Sequence, residues 1–304
     1  MTRVLMPFPA DAALASTMNQ AMQARIAPVA WRHFPDGESL VTLEDSLAGA
    51  DVAILASLRH ADALALPLRF AARTAREFGA RSVGLIAPYL GYMRQDTRFH
   101  RGEAVSTPLF AQFLEEAFDW LVTVDPHLHR VEQLQSLYRI PAVHVSATPA
   151  VARWIAESVP DAVLIGPDSE SEQWVADIAA RSGMPYQVLA KERHGDYDVR
   201  VSLPDPAAVA GRTPALIDDI VSSGHTILET LAHLRRLSLP PPLLVTIHPV
   251  FAGDAYARLQ EAGLARIVST DTIAHPSNAI ALGADLAAAA STLMTASTDS
   301  PEDP

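Results

Sequence analysis

The sequence predicts an α/β fold of two domains, each a mainly parallel sheet flanked by helices. Three observations predict it. Short apolar runs of strand length recur, amphipathic stretches of helical length separate them, and 304 residues exceed an ordinary single domain. Hydrophobic residues make up 49% of the chain, so each half can bury its own core. Charged residues at 19% match the globular norm and argue against wholesale disorder.

In the first half, Val52–Leu58, Val83–Tyr89 and Leu121–Asp125 read as buried strands. In the second half, Val163–Gly166, Ala215–Asp218, Leu243–Pro249 and Ile267–Asp271 do the same. These runs are near-continuously apolar, which fits strands covered on both faces. Ser106–Phe118, Glu170–Gly183 and His225–Leu237 read as helices; in the last, Ile227, Leu228, Leu231 and Leu234 share one face. The boundary falls near Ser146–Pro149, giving domains 1–146 and 147–290 and a tail 291–304 whose polar, acidic end is expected to be disordered. The halves share a layout without a close sequence repeat. Glu192–Arg212 is polar and lacks a period, so it reads as a mobile functional loop or a small β flap.

Charge and composition exclude several functions. A formal net charge of −12 repels nucleic-acid phosphates, and Arg235-Arg236 is an isolated basic pair. Any phosphate site must be local. The chain has no cysteine, which removes disulfides, thiolate metal sites and cysteine nucleophiles. It shows neither a secretory signal nor an apolar stretch of about 18 residues, so a cytoplasmic protein with no membrane and no nucleic-acid partner is expected.

The strongest chemistry lies in Ala215–Thr226. An apolar strand ends in Asp218 and Asp219, and the loop Ser222-Ser223-Gly224-His225-Thr226 opens a helix. Small residues let backbone amides approach a ligand, and a helix N-terminus favours a phosphate. The paired acids can hold ribose hydroxyls or a hydrated magnesium ion. The competing reading is a helix capped by Ser222 with two solvated aspartates.

Further segments carry candidate binding residues. Phe34-Pro-Asp36-Gly-Glu38 carries a turn signal, Ala87–Asp96 contains Arg94, Gln95 and Asp96, and Val122–His127 closes a strand. Taken alone, Phe34 could be core, Asp36-Gly37 a hairpin turn, His127 structural and Asp168 a helix cap. Together with Pro167-Asp168, Lys191-Glu-Arg193, His248–Gly253 and Asp271–Ile273, this ordered set closely resembles the ribose-phosphate pyrophosphokinases (phosphoribosyl pyrophosphate synthetases) along most of the chain.

The resemblance implies two phosphoribosyltransferase-like domains, ATP on the N-terminal side and ribose 5-phosphate on the C-terminal side. It implies transfer of the β,γ-diphosphate of ATP to the C1 hydroxyl of ribose 5-phosphate, with Mg2+ and a homo-oligomeric assembly. Phe34, Asp36, Glu38, Arg94, Gln95, Asp96 and His127 then fall at the ATP site, and His127 and Asp168 near metal. Asp218, Asp219, Ser222, Ser223, Gly224, His225 and Thr226 hold the sugar phosphate, and Lys191 and Arg193 form the catalytic pair. The sequence departs from the family pattern at Ser169-Glu170-Ser171-Glu172, where glycines are usual, at Ser222-Ser223, and at His225. Two other functions stay open: a phosphoribosyltransferase that consumes phosphoribosyl pyrophosphate, and a non-catalytic synthetase-like regulatory subunit. The same chemistry on a related pentose phosphate is a further variant.

Overall fold

The structure, a computed structural model, describes residues 2–43, 46–98, 100–128, 133–189, 191–193, 199–201, 209–235 and 239–296. The chain divides into two compact units. The first holds the chain up to Val145, Thr272–Ala274 and everything from Leu282; the second holds Ser146–Asp271 and His275–Ala281.

Unit one runs β1 (Arg3–Pro7), α1 (Ala12–Met22), β2 (Arg25–Ile26), the hairpin β3 (Ala30–His33) and β4 (Ser39–Thr42), then β5 (Asp51–Leu55) and α2 (Ala61–Glu77). It continues with β6 (Ser82–Ala87), α3 (Ser106–Glu115), β7 (Leu121–Val124) and β8 (Ala142–Val145). Unit two runs α4 (Thr148–Ser158), β9 (Ala162–Gly166), α5 (Glu172–Ser182), β10 (Tyr186–Val188), the hairpin β11 (Lys191–Arg193) and β12 (Val199–Val201), then β13 (Thr213–Ile220). After it come α6 (His225–Leu234), β14 (Leu243–His248), α7 (Ala255–Glu261), β15 (Arg266–Thr270) and β16 (Asn278–Ile280); the final helix, α8 (Gly283–Ala296), returns to unit one.

The strand orders, β2-β1-β5-β6-β7-β8 and β10-β9-β13-β14-β15-β16, are the same permutation, and every pair in both sheets is parallel. Each unit also inserts an antiparallel hairpin between its second and third sheet strands. The shared layout read from the sequence is thus a structural repeat.

Alternation along the strands divides the core. Val4, Met6, Val52, Ile54, Val83 and Leu85 pack in one cluster with Leu68, Ala71 and Ala72 of α2 and Phe110 and Leu114 of α3. On the opposite face, α8 lies against α1, β6, β7 and β8. Two glycines permit this approach. A Cβ on Gly84 would stand 1.9 Å from the ring of buried Trp120, and one on Gly283 would stand 2.3 Å from Thr17 Oγ1. In unit two, Ile165, Leu216, Leu244 and Ile267 pack with Ile227, Leu231 and Leu234 of α6 and Leu259 of α7. Full burial of each such side chain contributes about 1.5–3 kcal/mol.

The structure changes the expected boundaries. Residues from Leu282 join unit one, although 147–290 were expected in the second domain. The cause is packing: Leu286, Ala287 and Ala290 of α8 are fully buried, and Met294 is nearly so. The tail expected from 291 is helical to Ala296, and 297–304 lie outside the described residues. The apolar runs end as strands three residues earlier than read in β5 and two earlier in β6; Ala56 and Leu58 leave β5 yet still bond the carbonyls of Ile86 and Tyr89 at 3.0 and 2.8 Å. Helix α6 ends at Leu234, and 236–238 lie outside the described residues.

Candidate active site

In an open parallel sheet, ligands bind beyond the carboxyl ends of the strands where the strand order reverses. In unit two that point lies between β9 and β13. Their pairing stops at Leu216↔Ile165, whereas β13 continues beside β14 through Asp218↔Thr246 and Ile220↔His248. The last residues of β13 therefore border a crevice on the β9 side. Asp168, Asp218 and Asp219 meet there.

Asp219 is buried at 6% exposure, and its Oδ1 accepts the Ile220 amide at 2.9 Å. Asp218 is half-buried, and its carboxyl is raised well above the usual carboxylate range. Burial is the largest cause; the charges of Asp219 and Asp168 and a hydrogen bond shared with Asp219 add to it, against a backbone bond from Asp219. Asp168 also caps the short turn Ser169–Ser171, accepting the Ser171 amide at 3.3 Å. The capping alternative for Asp168 is therefore realised, and the same carboxylate still acts on Asp218. The two acids that departed from the family pattern, Glu170 and Glu172, are exposed.

The loop that follows presents backbone. Gly224, not Ser222, is the N-cap of α6, with φ +71° and no side-chain cap. The first-turn amides of α6 are thus not covered by a capping side chain, which leaves them to an anion. Glycine is required there twice over: by its left-handed φ, and because a Cβ would sit 3.0 Å from Leu259 Cδ1. Half-buried Ser222 and exposed Ser223 lie in the loop, and half-buried Thr226 sits in the first turn, its carbonyl accepting Thr230 Oγ1 at 2.9 Å. The His225 ring lies along α6, with Nε2 3.1 Å from Glu229 Oε1, so this residue offers the loop its backbone.

The expected flap is a hairpin, with Lys191 opposite Val201 and Arg193 opposite Val199. Residues 194–198 and 202–208 and the side chains of Lys191 and Arg193 lie outside the described part.

Unit one carries Arg94, Gln95, Asp96 and His127 after the carboxyl ends of β6 and β7, and Phe34, Asp36 and Glu38 on its separate hairpin. Asp36-Gly37 forms the β3–β4 turn: Gly37 has φ +93°, Gly37 N donates to Phe34 O at 2.9 Å, and Glu38 N donates to Asp36 Oδ1 at 3.2 Å. The turn reading is borne out, but Phe34 is not core. It is 39% exposed, with the Arg32 guanidinium 4.8 Å from its ring centroid, so its other face can stack on a flat group. Glu38 and Arg94 are exposed; Gln95, Asp96 and His127 are half-buried. Gln95 is tied to the start of α3 by Ser106 Oγ at 3.2 Å and Thr107 N at 3.3 Å. His127 follows β7 after Asp125, which is 2% exposed at φ +27°.

Residues 4–117 match the family described as the N-terminal domain of ribose phosphate pyrophosphokinase, and 143–271 match the phosphoribosyl transferase domain. The ribose-phosphate pyrophosphokinase of Methanopyrus kandleri is 32% identical over 92% of this chain and 96% of its own length. That of Halobacterium salinarum is 34% identical over 86% and 90%. The chain belongs to the ribose-phosphate pyrophosphokinase family. The crystal structure of phosphoribosylpyrophosphate synthetase from Mycobacterium smegmatis shares the fold, with TM-score 0.82 and 24% identity over 99% of this chain and 100% of that one.

The framework includes backbone and packing features around these motifs that residue types do not announce. Phe251 has φ +36°, a conformation that costs a non-glycine residue about 1–3 kcal/mol and persists only where its surroundings enforce it. Asp125 is similarly strained. Both follow strand ends within motifs quoted from the sequence, but backbone strain leaves no trace in residue type. Leu259, beneath Gly224, reads only as a core leucine.

Proposed function

We propose that this chain transfers the β,γ-diphosphate of ATP to the C1 hydroxyl of ribose 5-phosphate, giving phosphoribosyl pyrophosphate and AMP. Membership of a pyrophosphokinase family supports the reaction class, a transferase. The observation that carries the site is the meeting of Asp168, Asp218 and Asp219 beside an uncapped helix start.

The C1 hydroxyl oxygen forms a bond to the β-phosphorus of ATP. The bond from that phosphorus to the oxygen shared with the α-phosphate breaks, AMP leaves, and the hydroxyl proton is released. The amides and hydroxyls of Ser222–Thr226 hold the 5-phosphate. Asp218 and Asp219 accept hydrogen bonds from the ribose hydroxyls and fix the direction of the C1 oxygen. Lys191 and Arg193 cover the reacting phosphate, while Phe34 stacks on adenine and Asp36, Glu38, Arg94, Gln95, Asp96 and His127 complete the nucleotide site. Positioning and electrostatics supply the rate; no covalent intermediate is needed.

The residues fit magnesium. Asp218 is driven toward its protonated form by burial first and then by the charges of Asp219 and Asp168, a crowding of negative charge that a divalent cation would relieve. Among the described residues no three His, Asp or Glu side chains gather into a protein cage. Magnesium does not require one, since it keeps several waters and binds through one or two carboxylates plus substrate phosphates. Asp168 would hold one such ion on the sugar-phosphate side and His127 would meet another on the nucleotide side, where magnesium would neutralise phosphate charge.

A transferase consuming phosphoribosyl pyrophosphate is disfavoured by the match of residues 4–117 to the pyrophosphokinase N-terminal domain. A non-catalytic subunit is disfavoured by the retention of Lys191, Arg193, His127 and the acid pair. A homo-oligomer is also proposed, and exposed Leu66 and Phe70 on α2 and Leu109 on α3 offer apolar surface for it; sedimentation tests the assembly. No helix among the described residues is long and apolar enough to cross a membrane, and we retain the cytoplasm as the proposed location. The reaction is tested by incubating the chain with ATP, magnesium and ribose 5-phosphate. AMP with phosphoribosyl pyrophosphate supports it, and a nucleobase-dependent release of diphosphate from phosphoribosyl pyrophosphate favours the consuming transferase.

A further inference from the structure

The run His248–Gly253 starts at the last residue of β14 and has no role in the mechanism above. Its backbone is nevertheless bonded along the phosphate loop. Val221 N donates to His248 O at 3.3 Å, Phe251 N to Val221 O at 2.8 Å and Ala252 N to Ser222 O at 3.0 Å. The loop is thus laced to a second loop whose own course is set by Phe251 in its left-handed turn.

Three rings hold that turn. Phe251 is 3% exposed, and its centroid lies 5.2 Å from Tyr256 and 4.8 Å from His275, which are 4.5 Å from each other. His275 is anchored: its Nδ1 bonds Ser277 Oγ at 2.7 Å, Ser277 Oγ meets Ser269 Oγ at 2.7 Å, and its amide donates to Asn278 Oδ1 at 2.8 Å. Tyr256 belongs to α7, which also carries Leu259 under Gly224.

We infer that the Phe251–Tyr256–His275 cluster positions the Val221–Gly224 loop, so that these three side chains set the affinity for the sugar phosphate without touching it. The inference rests on the proposed sugar-phosphate role of that loop. A displaced loop loses amide alignment to the 5-phosphate, while the nucleotide residues belong to other elements. The effect should therefore fall on one substrate.

The test is steady-state kinetics with both substrates, joined to calorimetric titration of the full chain with ribose 5-phosphate. Tyr256→Ala and Phe251→Leu are the informative variants, because Tyr256 is half-buried and Phe251→Leu retains much of the core volume. Each should raise KM and Kd for ribose 5-phosphate by about tenfold or more, with KM for ATP within about twofold. Tyr256→Phe, which keeps the ring, should restore wild-type values. A purely structural loss would lower the active fraction and leave both KM values in place. Unchanged ribose 5-phosphate affinity in both variants, or parallel rises in both KM values, would overturn the inference. If the wild type binds ribose 5-phosphate but forms no phosphoribosyl pyrophosphate, the proposed reaction fails and the titration alone decides the inference. If the wild type binds no ribose 5-phosphate, both fail.

Discussion

Single side chains here are governed by whether their charge has company. Asp218 is crowded by Asp219 and Asp168 at the candidate site. Asp11, in unit one, is 5% exposed and raised to about 6 by burial, although the Ser57 amide donates to it at 3.1 Å. The folded chain therefore binds an extra proton between pH 3.8 and about 6, and stability falls as pH rises through that window. The loss is roughly 3 kcal/mol from the size of the shift. Asn accepts the same amide without a charge, so Asp11→Asn should flatten this slope and raise the urea midpoint at pH 8; a slope equal to wild type would remove Asp11 as its source. For catalysis, Lys191→Ala should lower kcat by roughly 100-fold, about 2.7 kcal/mol of transition-state stabilisation. Near-normal turnover would take Lys191 out of its role.

Elements are placed by apolar faces and by the absence of side chains where two elements must touch. Gly84 lies against the Trp120 ring on the face covered by α8, so Gly84→Ala forces the ring or the helix to move. Such overpacking costs about 1–3 kcal/mol, which a lowered urea midpoint would report, and an unchanged midpoint would refute. This same packing was hidden in the sequence. The central strands β5, β6, β7, β9, β13, β14 and β15 were legible, because both faces are buried and their residues run apolar without interruption. The short β2, β10 and β16 carry two or three residues each, too few for a period to show. The return of α8 to unit one depends on which sheet its stripe fits, and helical periodicity alone does not choose a partner. At the site, Asp218, Asp219 and the small-residue loop were legible because acid pair, loop and helix are contiguous. The cap at Gly224 and the strain at Phe251 were not, since they are decided by backbone angles.

Across the whole molecule, one strand permutation occurs twice with different residues at equivalent places. The carboxyl end of β13 carries Asp218 and Asp219; its counterpart after β5 carries Ala56 and Ser57, and the Ser57 amide is occupied by Asp11. The hairpin of unit one displays Phe34, and that of unit two bears Lys191 and Arg193. The division of labour proposed above, sugar phosphate for one unit and nucleotide for the other, would use this difference. The decisive measurement follows the label from ATP enriched at the β-phosphorus, in the presence of ribose 5-phosphate and magnesium. Attack at the β-phosphorus predicts the label in phosphoribosyl pyrophosphate and none in the AMP released. Label retained in ADP as the sole nucleotide product, with a singly phosphorylated C1, would contradict it.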